Sequence, residues 1–366
     1  MSGKGKTIFL VVGSFKSGGT ERTASRIGLE LIKRGYSVTF LLINGVFDYD
    51  DFGLKENSVI LSPEKRWSRV TRFFLVYLKL FKLVYLHRPD KLVSFSLGIN
   101  KLIFFLFYPK TIFRIESNIF IYKKKLYRRY LQKYMVAFPH VRKVVVPSEG
   151  LFQACKAYFG KSGEKLVQVN NPIDTEKIEK SCTDFESTDF LDQPFIVSAG
   201  RLSKSKGFEA LIDAFSQSQI SRTHRLLILG EGELHQKLMN QINTNGLDSR
   251  VKLLGFVKNP YPYFSKAFYF ILNTSHESFG NVFIESFAAG TLVISNDCDF
   301  GPRHIIEHEK NGILYDSTNF ENIVESLDYF IDRQELYSEM KLNAYASRFK
   351  YSIETTVDDW LKKITE

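Results

Sequence analysis

Residues 267–290 read AFYFILNTSHESFGNVFIESFAAG. The first nine, Ala267 to Ser275, make an apolar, aromatic-rich run of strand length that ends in polar residues. From Asn281 to Ala289 (NVFIESFAA) apolar residues return at helical spacing, and Gly290 is a fitting C-terminal cap. The order is therefore strand, loop, helix. In an open parallel sheet such a loop lies at the carboxyl ends of the strands, where ligands bind, and the amides that open a helix favour phosphate. Glu277 in the loop and Glu285 one turn into the helix cannot bind phosphate themselves, because like charges repel. They can accept hydrogen bonds from sugar hydroxyls on either side of it. Spacing alone leaves a second reading open, in which Glu277 is a loop charge and Glu285 lies on a solvated helix face.

The same alternation runs along the whole chain. In the first half, strand-like runs at Thr7 to Val12, Ser37 to Ile43, Lys91 to Phe95, Thr111 to Ile115 and Lys143 to Val146 are separated by helical patterns. In the second half the runs are Pro194 to Ala199, Arg225 to Leu229, Val251 to Gly255, the stretch before Glu277, and Thr291 to Ser295. This predicts an α/β chain of two doubly wound parallel-sheet domains with crossover helices, and 366 residues suffice for two cores. Asn170-Asn171-Pro172 ends a strand, and the polar stretch that follows has few large apolar residues. The expected organisation is a first domain over 1–175, a linker over 176–193 and a second domain over 194–347.

An apolar share of 44% with 25% charged residues is ordinary for a globular protein. No run of eighteen apolar residues occurs, so no transmembrane helix is expected. Lys4 and Lys6 precede only a short apolar stretch, Ile8 to Val12, too brief for a secretory signal, and it reads as a first strand. Cys155, Cys182 and Cys298 are far apart and lack metal-ligand spacing, which fits a reducing cytoplasm without structural zinc. The net charge of +10 hides an asymmetry: residues 1–175 hold 30 Lys plus Arg against 12 Asp plus Glu, whereas residues 176–366 hold 20 against 28. The basic half must meet something anionic, for which nucleic acid, lipid headgroups or a diphosphate-bearing substrate would each qualify.

Two segments concentrate that charge. Residues 69–88 (RVTRFFLVYLKLFKLVYLHR) are apolar nearly all round a helix, with Arg69, Arg72, Lys79 and Lys82 within about 140 degrees of one side. Residues 122–134 (YKKKLYRRYLQKY) add six cations interleaved with Tyr and Leu. Basic residues mixed with aromatics fit a helix lying on an anionic membrane surface. A core-facing helix with a solvated basic edge is the competing reading.

Glycine loops follow several strands. Lys16-Ser17-Gly18-Gly19-Thr20-Glu21-Arg22 leads from the first strand into a helical pattern; its spacing is not that of a dinucleotide fingerprint, and a tight structural turn is the alternative. After Ala199 come Gly200, Arg201, Lys204, Lys206 and Gly207, cations able to neutralise a leaving diphosphate without a metal. Leu229-Gly230-Glu231-Gly232-Glu233 follows the next strand.

Together these residues resemble the retaining family 4 of nucleotide-sugar glycosyltransferases, which have the GT-B fold of two Rossmann-like domains facing a central cleft. The resemblance spans nearly the whole chain: SGGTER, RIESN ending at Asn118, VPSEG at Ser148, Asn171-Pro172, GRLSKSKG, LGEGE, the Glu277 to Glu285 box, NDCDFGPR and FKYSIETTVDDW. The last resembles a tail helix, here within 348–366, that crosses back onto the first domain. The resemblance implies that Arg201 and Lys206 contact the donor diphosphate, Glu277 supports the transferred sugar and Glu285 holds the ribose hydroxyls. It places Gly280, Asn281 and Val282 on the phosphates, with Gly18 and Gly19 facing them from the other domain. Glu116 and Asn118 fall on the acceptor side. Glu116 lies in a segment where many members carry a catalytically relevant His, and His304 sits where a Glu commonly follows the GP pair.

The resemblance also implies chemistry. A hexose or N-acetylhexosamine would move from a nucleoside diphosphate, UDP by expectation, to a hydroxyl of a lipid-linked saccharide, with retained configuration and no cofactor. Asp297-Cys298-Asp299 mimics a metal-binding DxD motif but falls at the family's DC-GP segment, so no metal is expected. Asp48-Tyr49-Asp50-Asp51 reads as a solvated turn. The expected location is the cytoplasmic face of the cell membrane, held peripherally through 69–88 and 122–134. Two alternatives stay open: a basic nucleic-acid-binding protein, although nothing resembles a known nucleic-acid module, and a related GT-B enzyme such as a phosphorylase or sugar-nucleotide epimerase.

Overall fold

The computed structural model describes residues 5–16, 18–48, 53–62, 68–116, 120, 126–184 and 193–365. It divides into two compact units, Met1–Ile173 with Ile353–Glu366, and Asp174–Ser352.

In the first unit the elements are β1 (Thr7–Val12), α1 (Gly19–Lys33), β2 (Ser37–Leu42), β3 (Ser58–Ile60), α2 (Arg69–His87), β4 (Lys91–Ser94) and α3 (Leu97–Phe104). They continue with β5 (Thr111–Arg114), α4 (Leu126–Ala137), β6 (Val141–Val146), α5 (Glu149–Phe159) and β7 (Leu166–Gln168). All seven strands are parallel, in the order β3-β2-β1-β4-β5-β6-β7. Ile8 to Val12 are all buried, as expected of a strand covered by helices on both faces. Strand order reverses between β1 and β4, the switch point at which such sheets leave a crevice beyond the strand ends.

In the second unit they are α6 (Thr175–Ser181), β8 (Phe195–Ala199), α7 (Phe208–Gln217), β9 (Arg225–Leu229), α8 (His235–Thr244), β10 (Val251–Gly255), α9 (Tyr261–Lys266) and β11 (Phe270–Leu272). After these come α10 (Asn281–Ala288), β12 (Val293–Asn296), α11 (Pro302–Ile305), β13 (Gly312–Tyr315), α12 (Phe320–Asp328) and α13 (Gln334–Ser347). The six parallel strands run β10-β9-β8-β11-β12-β13, so this switch point lies between β8 and β11. The first residues of the stretch expected as linker thus form a helix of this unit. The run 267–275 shortens to a three-residue strand, because Ala267 caps α9 and Thr274 and Ser275 turn away to bond the neighbouring loop.

The last helix, α14 (Ile353–Thr365), belongs to the first unit, whereas Arg348–Tyr351 is a short helical turn of the second. Val357, Trp360 and Ile364 of α14 are buried in one cluster with Ile8, Leu10, Ile27 and Phe40. Arg34 bonds Asp358 and the Glu354 carbonyl, and Lys363 Nζ donates to the Gln168 carbonyl at 2.6 Å.

Candidate active site

In the second unit the site assembles at the switch point. The loop leaving β8 carries Arg201 and Lys206, and that leaving β11 carries Glu277. Backbone ties hold them side by side: the Ser275 amide donates to the Ser205 carbonyl at 2.8 Å, and the Thr274 and Ser275 hydroxyls reach the same oxygen at 3.2 Å. Gly207 sits in the left-handed region with φ 62°, and a Cβ there would collide with the Asn273 carbonyl, so only glycine lets the two loops approach this closely. A third loop locks on from β9, through the Leu202 amide to the Glu231 carbonyl at 2.9 Å and the Leu234 amide to the Leu202 carbonyl at 3.0 Å.

These ties bring Lys206 Nζ onto Glu277 Oε1, an ion pair whose side chains are only 19% and 16% exposed. The lysine, expected to face a diphosphate, therefore also holds the carboxylate; an ammonium has three donors and can serve both. Cys298 lies beside the pair. Burial first, and then the Glu277 charge, pushes its thiol up to about 12, so it stays protonated at neutral pH. Arg201 is exposed.

Gly280 caps α10 with φ 96°, ψ 58°, and Asn281 and Val282 open the helix. Amides at these positions have no carbonyl four residues back within the helix, which makes the helix start suited to an anion. Glu285 follows one turn later and is 7% exposed, which excludes the reading of it as a solvated face charge. Its neighbours along the helix, Phe283, Ile284 and Phe287, are fully buried as well.

Asp297 and Asp299 are clasped by Arg303: Nε and Nη2 meet Asp297 at 2.7 and 3.1 Å, and Nη1 meets Asp299 Oδ1 at 2.7 Å. The guanidinium stands where a cation would be held. The sequence reading left Arg303 without a role, although its spacing from the two aspartates was visible.

In the first unit Gly18 caps α1 and Gly19 begins it. The Glu21 carboxylate folds over Gly18, close enough that any Cβ there would collide with it. Arg114 and Asn171 meet: Arg114, fully buried, pairs with Glu116 and donates through Nη2 to Asn171 Oδ1 at 2.6 Å. Burial raises the Glu116 carboxyl above the ordinary range, against the opposing pull of Arg114. Asn118 lies outside the described residues.

The basic segments fold differently from the expected basic edge. Arg72 donates to Ser62 Oγ at 2.9 Å and Lys79 to the Ile60 carbonyl at 2.7 Å, so two of its cations bind their own chain; the Arg69 side chain lies outside the described residues. The exposed face of α2 is apolar instead. Phe73, Phe74, Leu78, Phe81 and Tyr85 are all exposed and share a stripe about 140 degrees wide. Tyr77 and Tyr85 hydroxyls bond the carbonyls of Phe105 and Leu106, bringing exposed Phe105 and Phe107 beside this stripe. Of 122–134, the part before Leu126 lies outside the described residues, while α4 exposes Tyr127, Tyr130 and Tyr134. Among the described residues no helix is long and apolar enough to cross a membrane.

A family model described as Glycosyltransferase Family 4 matches residues 17–177, and one described as Glycosyl transferases group 1 matches residues 181–347. The chain is 28% identical to the N-acetylgalactosamine-N,N'-diacetylbacillosaminyl-diphospho-undecaprenol 4-alpha-N-acetylgalactosaminyltransferase of Campylobacter jejuni, over 90% of this chain and 92% of that protein. It is 25% identical to an uncharacterized glycosyltransferase of Haemophilus influenzae, over 97% and 98% of the two chains. Among solved structures, HepE of Anabaena in complex with UDP and glucose superposes with a TM-score of 0.81 at 17% identity, covering 98% of this chain and 99% of that one. Two matched models in sequence order, on a fold shared over nearly the whole length, have one explanation: the chain belongs to the family 4 glycosyltransferases, with the GT-B fold of two Rossmann-like units.

Proposed function

We propose that this glycosyltransferase moves a hexose or N-acetylhexosamine from UDP to a hydroxyl of a lipid-linked saccharide during bacterial glycan assembly, with retention of configuration and without a metal. The observation that carries the donor site is the Lys206–Glu277 pair, set at the second switch point next to the first turn of α10. Lys206 and Arg201 offset the charge of the diphosphate, the amides of Gly280, Asn281 and Val282 meet its oxygens, Glu277 accepts from the transferred sugar and Glu285 from the ribose. UDP is favoured by the likeness to HepE, which was solved with UDP. The lipid-linked acceptor is favoured by the C. jejuni relative, whose name places its acceptor sugar on diphospho-undecaprenol.

In this reading the acceptor hydroxyl attacks the anomeric carbon from the face that the diphosphate leaves. The bond to the phosphate oxygen breaks, and that oxygen takes the acceptor's proton. The protein positions the two substrates and stabilises the departing charge. Glu116 belongs to the acceptor side. The first unit meets the cytoplasmic face of an anionic membrane through the apolar stripe of α2 and the aromatic face of α4, with Lys82, Arg88 and Lys133 near headgroups.

A thermal-shift panel of UDP, GDP, ADP and a nucleic-acid duplex tests the assignment. UDP is expected to raise the melting temperature most. A shift by the duplex alone, with none from any nucleotide, would refute it.

A further inference from the structure

Beyond the first switch point lies a cavity of about 110 Å³ in the first unit, lined by Thr20, Ser96, Asn100, Ile115, Glu116 and Gln132 among others. Four parts build it: the first turn of α1, the start of α3, the residues just after β5 and one face of α4. Most of its polar groups are committed. Asn100 accepts from Ser94 and donates to the Arg114 carbonyl at 3.3 Å, Ser96 Oγ accepts from the Ile99 amide at 3.3 Å, and Glu116 is held by Arg114. Gln132 is different. It is fully buried, and neither its Oε1 nor its Nε2 has a hydrogen-bond partner among the described residues.

An amide buried with both ends unmet is costly to keep, and native interiors hold few of them. Leu131 and Met135, its neighbours on α4, show that an apolar side chain suits this helix, yet at 132 an amide faces the cavity. Its two ends offer an acceptor and a donor side by side, the complement of two adjacent hydroxyls, of which one donates and the next accepts. Glu116 adds an acceptor to the lining. Among the described residues no Lys or Arg lines the cavity, which suits a neutral ligand.

We propose that Gln132, with Glu116, forms a subsite that reads a vicinal hydroxyl pair on one edge of a pyranose. This rests on the chain being a sugar transferase and names the group that selects the sugar. A polar site of this kind rejects an analogue lacking the hydroxyl far more strongly than an apolar pocket rejects a missing methylene.

The test uses the full chain and its Q132L variant, with methyl α-pyranosides of glucose, galactose, N-acetylglucosamine and N-acetylgalactosamine and their monodeoxy derivatives, read by saturation-transfer NMR. UDP binding by calorimetry serves as the control for the other unit. The expected result is that one glycoside binds, that removing either of two adjacent hydroxyls weakens it tenfold or more, and that Q132L does the same while UDP affinity is unchanged. Q132L should melt no lower than the parent, since it removes an unmet amide; if it does melt lower, Q132E replaces it as the binding test. Competition of the glycoside by UDP-sugar but not by UDP assigns the subsite to the transferred sugar, and its absence to the acceptor. Equal glycoside binding by parent and variants, or no glycoside bound while UDP binds normally, overturns the proposal. Failure of UDP to bind would instead count against the transferase reading.

Discussion

Lys206 and Glu277, 71 positions apart, form an ion pair that joins the loops following β8 and β11. Its members are mostly buried, so each keeps the other from being a lone charge near an apolar sheet end. Removing one strands its partner. Glu277→Ala and Lys206→Ala are each expected to lower turnover about a hundredfold, the scale of a lost electrostatic stabiliser. The double variant should fall well short of the product of the two losses, because they act as a unit. Initial rates of sugar transfer check this; near-parental rates in both single variants would remove the pair from the site.

Gly207→Ala is expected to cost about 1–3 kcal/mol of stability, since it combines a left-handed backbone with a collision at the Asn273 carbonyl. Denaturant unfolding followed by tryptophan-independent circular dichroism gives the value. Donor affinity should fall with it, because the same contact sets the spacing of Lys206 and Glu277. An alanine that folds with unchanged midpoint would contradict the tight approach of the loops.

The cysteines give a pH signature. Burial pushes the Cys155 and Cys298 thiols to about 12 in the folded chain, against roughly 8.5 when unfolded. Between those values the unfolded state loses protons that the folded state keeps, so stability is fully present below about pH 8.5 and declines as pH rises toward 12. The double replacement by Ala should flatten that alkaline slope. Unfolding free energy measured from pH 7 to 10 decides it, and an unchanged slope would mean the thiols are not protected.

Phe74→Ser, Leu78→Ser and Phe81→Ser together should abolish most binding to anionic vesicles while leaving the melting temperature close to the parent value, because all three are exposed. Apolar contact carries much of this binding, so raising salt from low to moderate should weaken it only in part. Co-sedimentation at both salts tests the surface. Undiminished binding by the triple variant would place the membrane contact elsewhere.

Trp360→Ala is expected to destabilise the first unit by about 3–5 kcal/mol, the usual cost of emptying a large buried aromatic site. Calorimetry should show the loss in that unit's transition. A melt unaltered by the change would argue against α14 as part of its core.

Much of this was legible from residue order. Period-two and buried-strand runs alternating with helical ones define parallel sheets by local physics, and Gly280, Asn281 and Glu285 declare a helix start by type and spacing. Two short strands escaped notice: Ser58–Ile60 and Gly312–Tyr315 are too brief to carry a periodic signal and form only because a neighbouring strand offers its edge. In α2 the cations looked like the outward face, yet Arg72 and Lys79 reach back to their own chain and aromatic rings face out. Helical spacing ranks positions by angle and cannot say which angle the rest of the fold covers.

By itself, then, the sequence determined the α/β class, the two-unit organisation and the chemistry available at each strand end, since these follow from neighbours a few residues apart. The tertiary structure decided which groups act together. That Lys206 bonds Glu277, that Arg303 occupies the Asp297–Asp299 pair, that Glu285 is buried, and that Gln132 faces a cavity with its amide unmet depend on strand order and helix packing. Those bring together residues separated along the chain, and only the burial they create turns a polar side chain into a committed one.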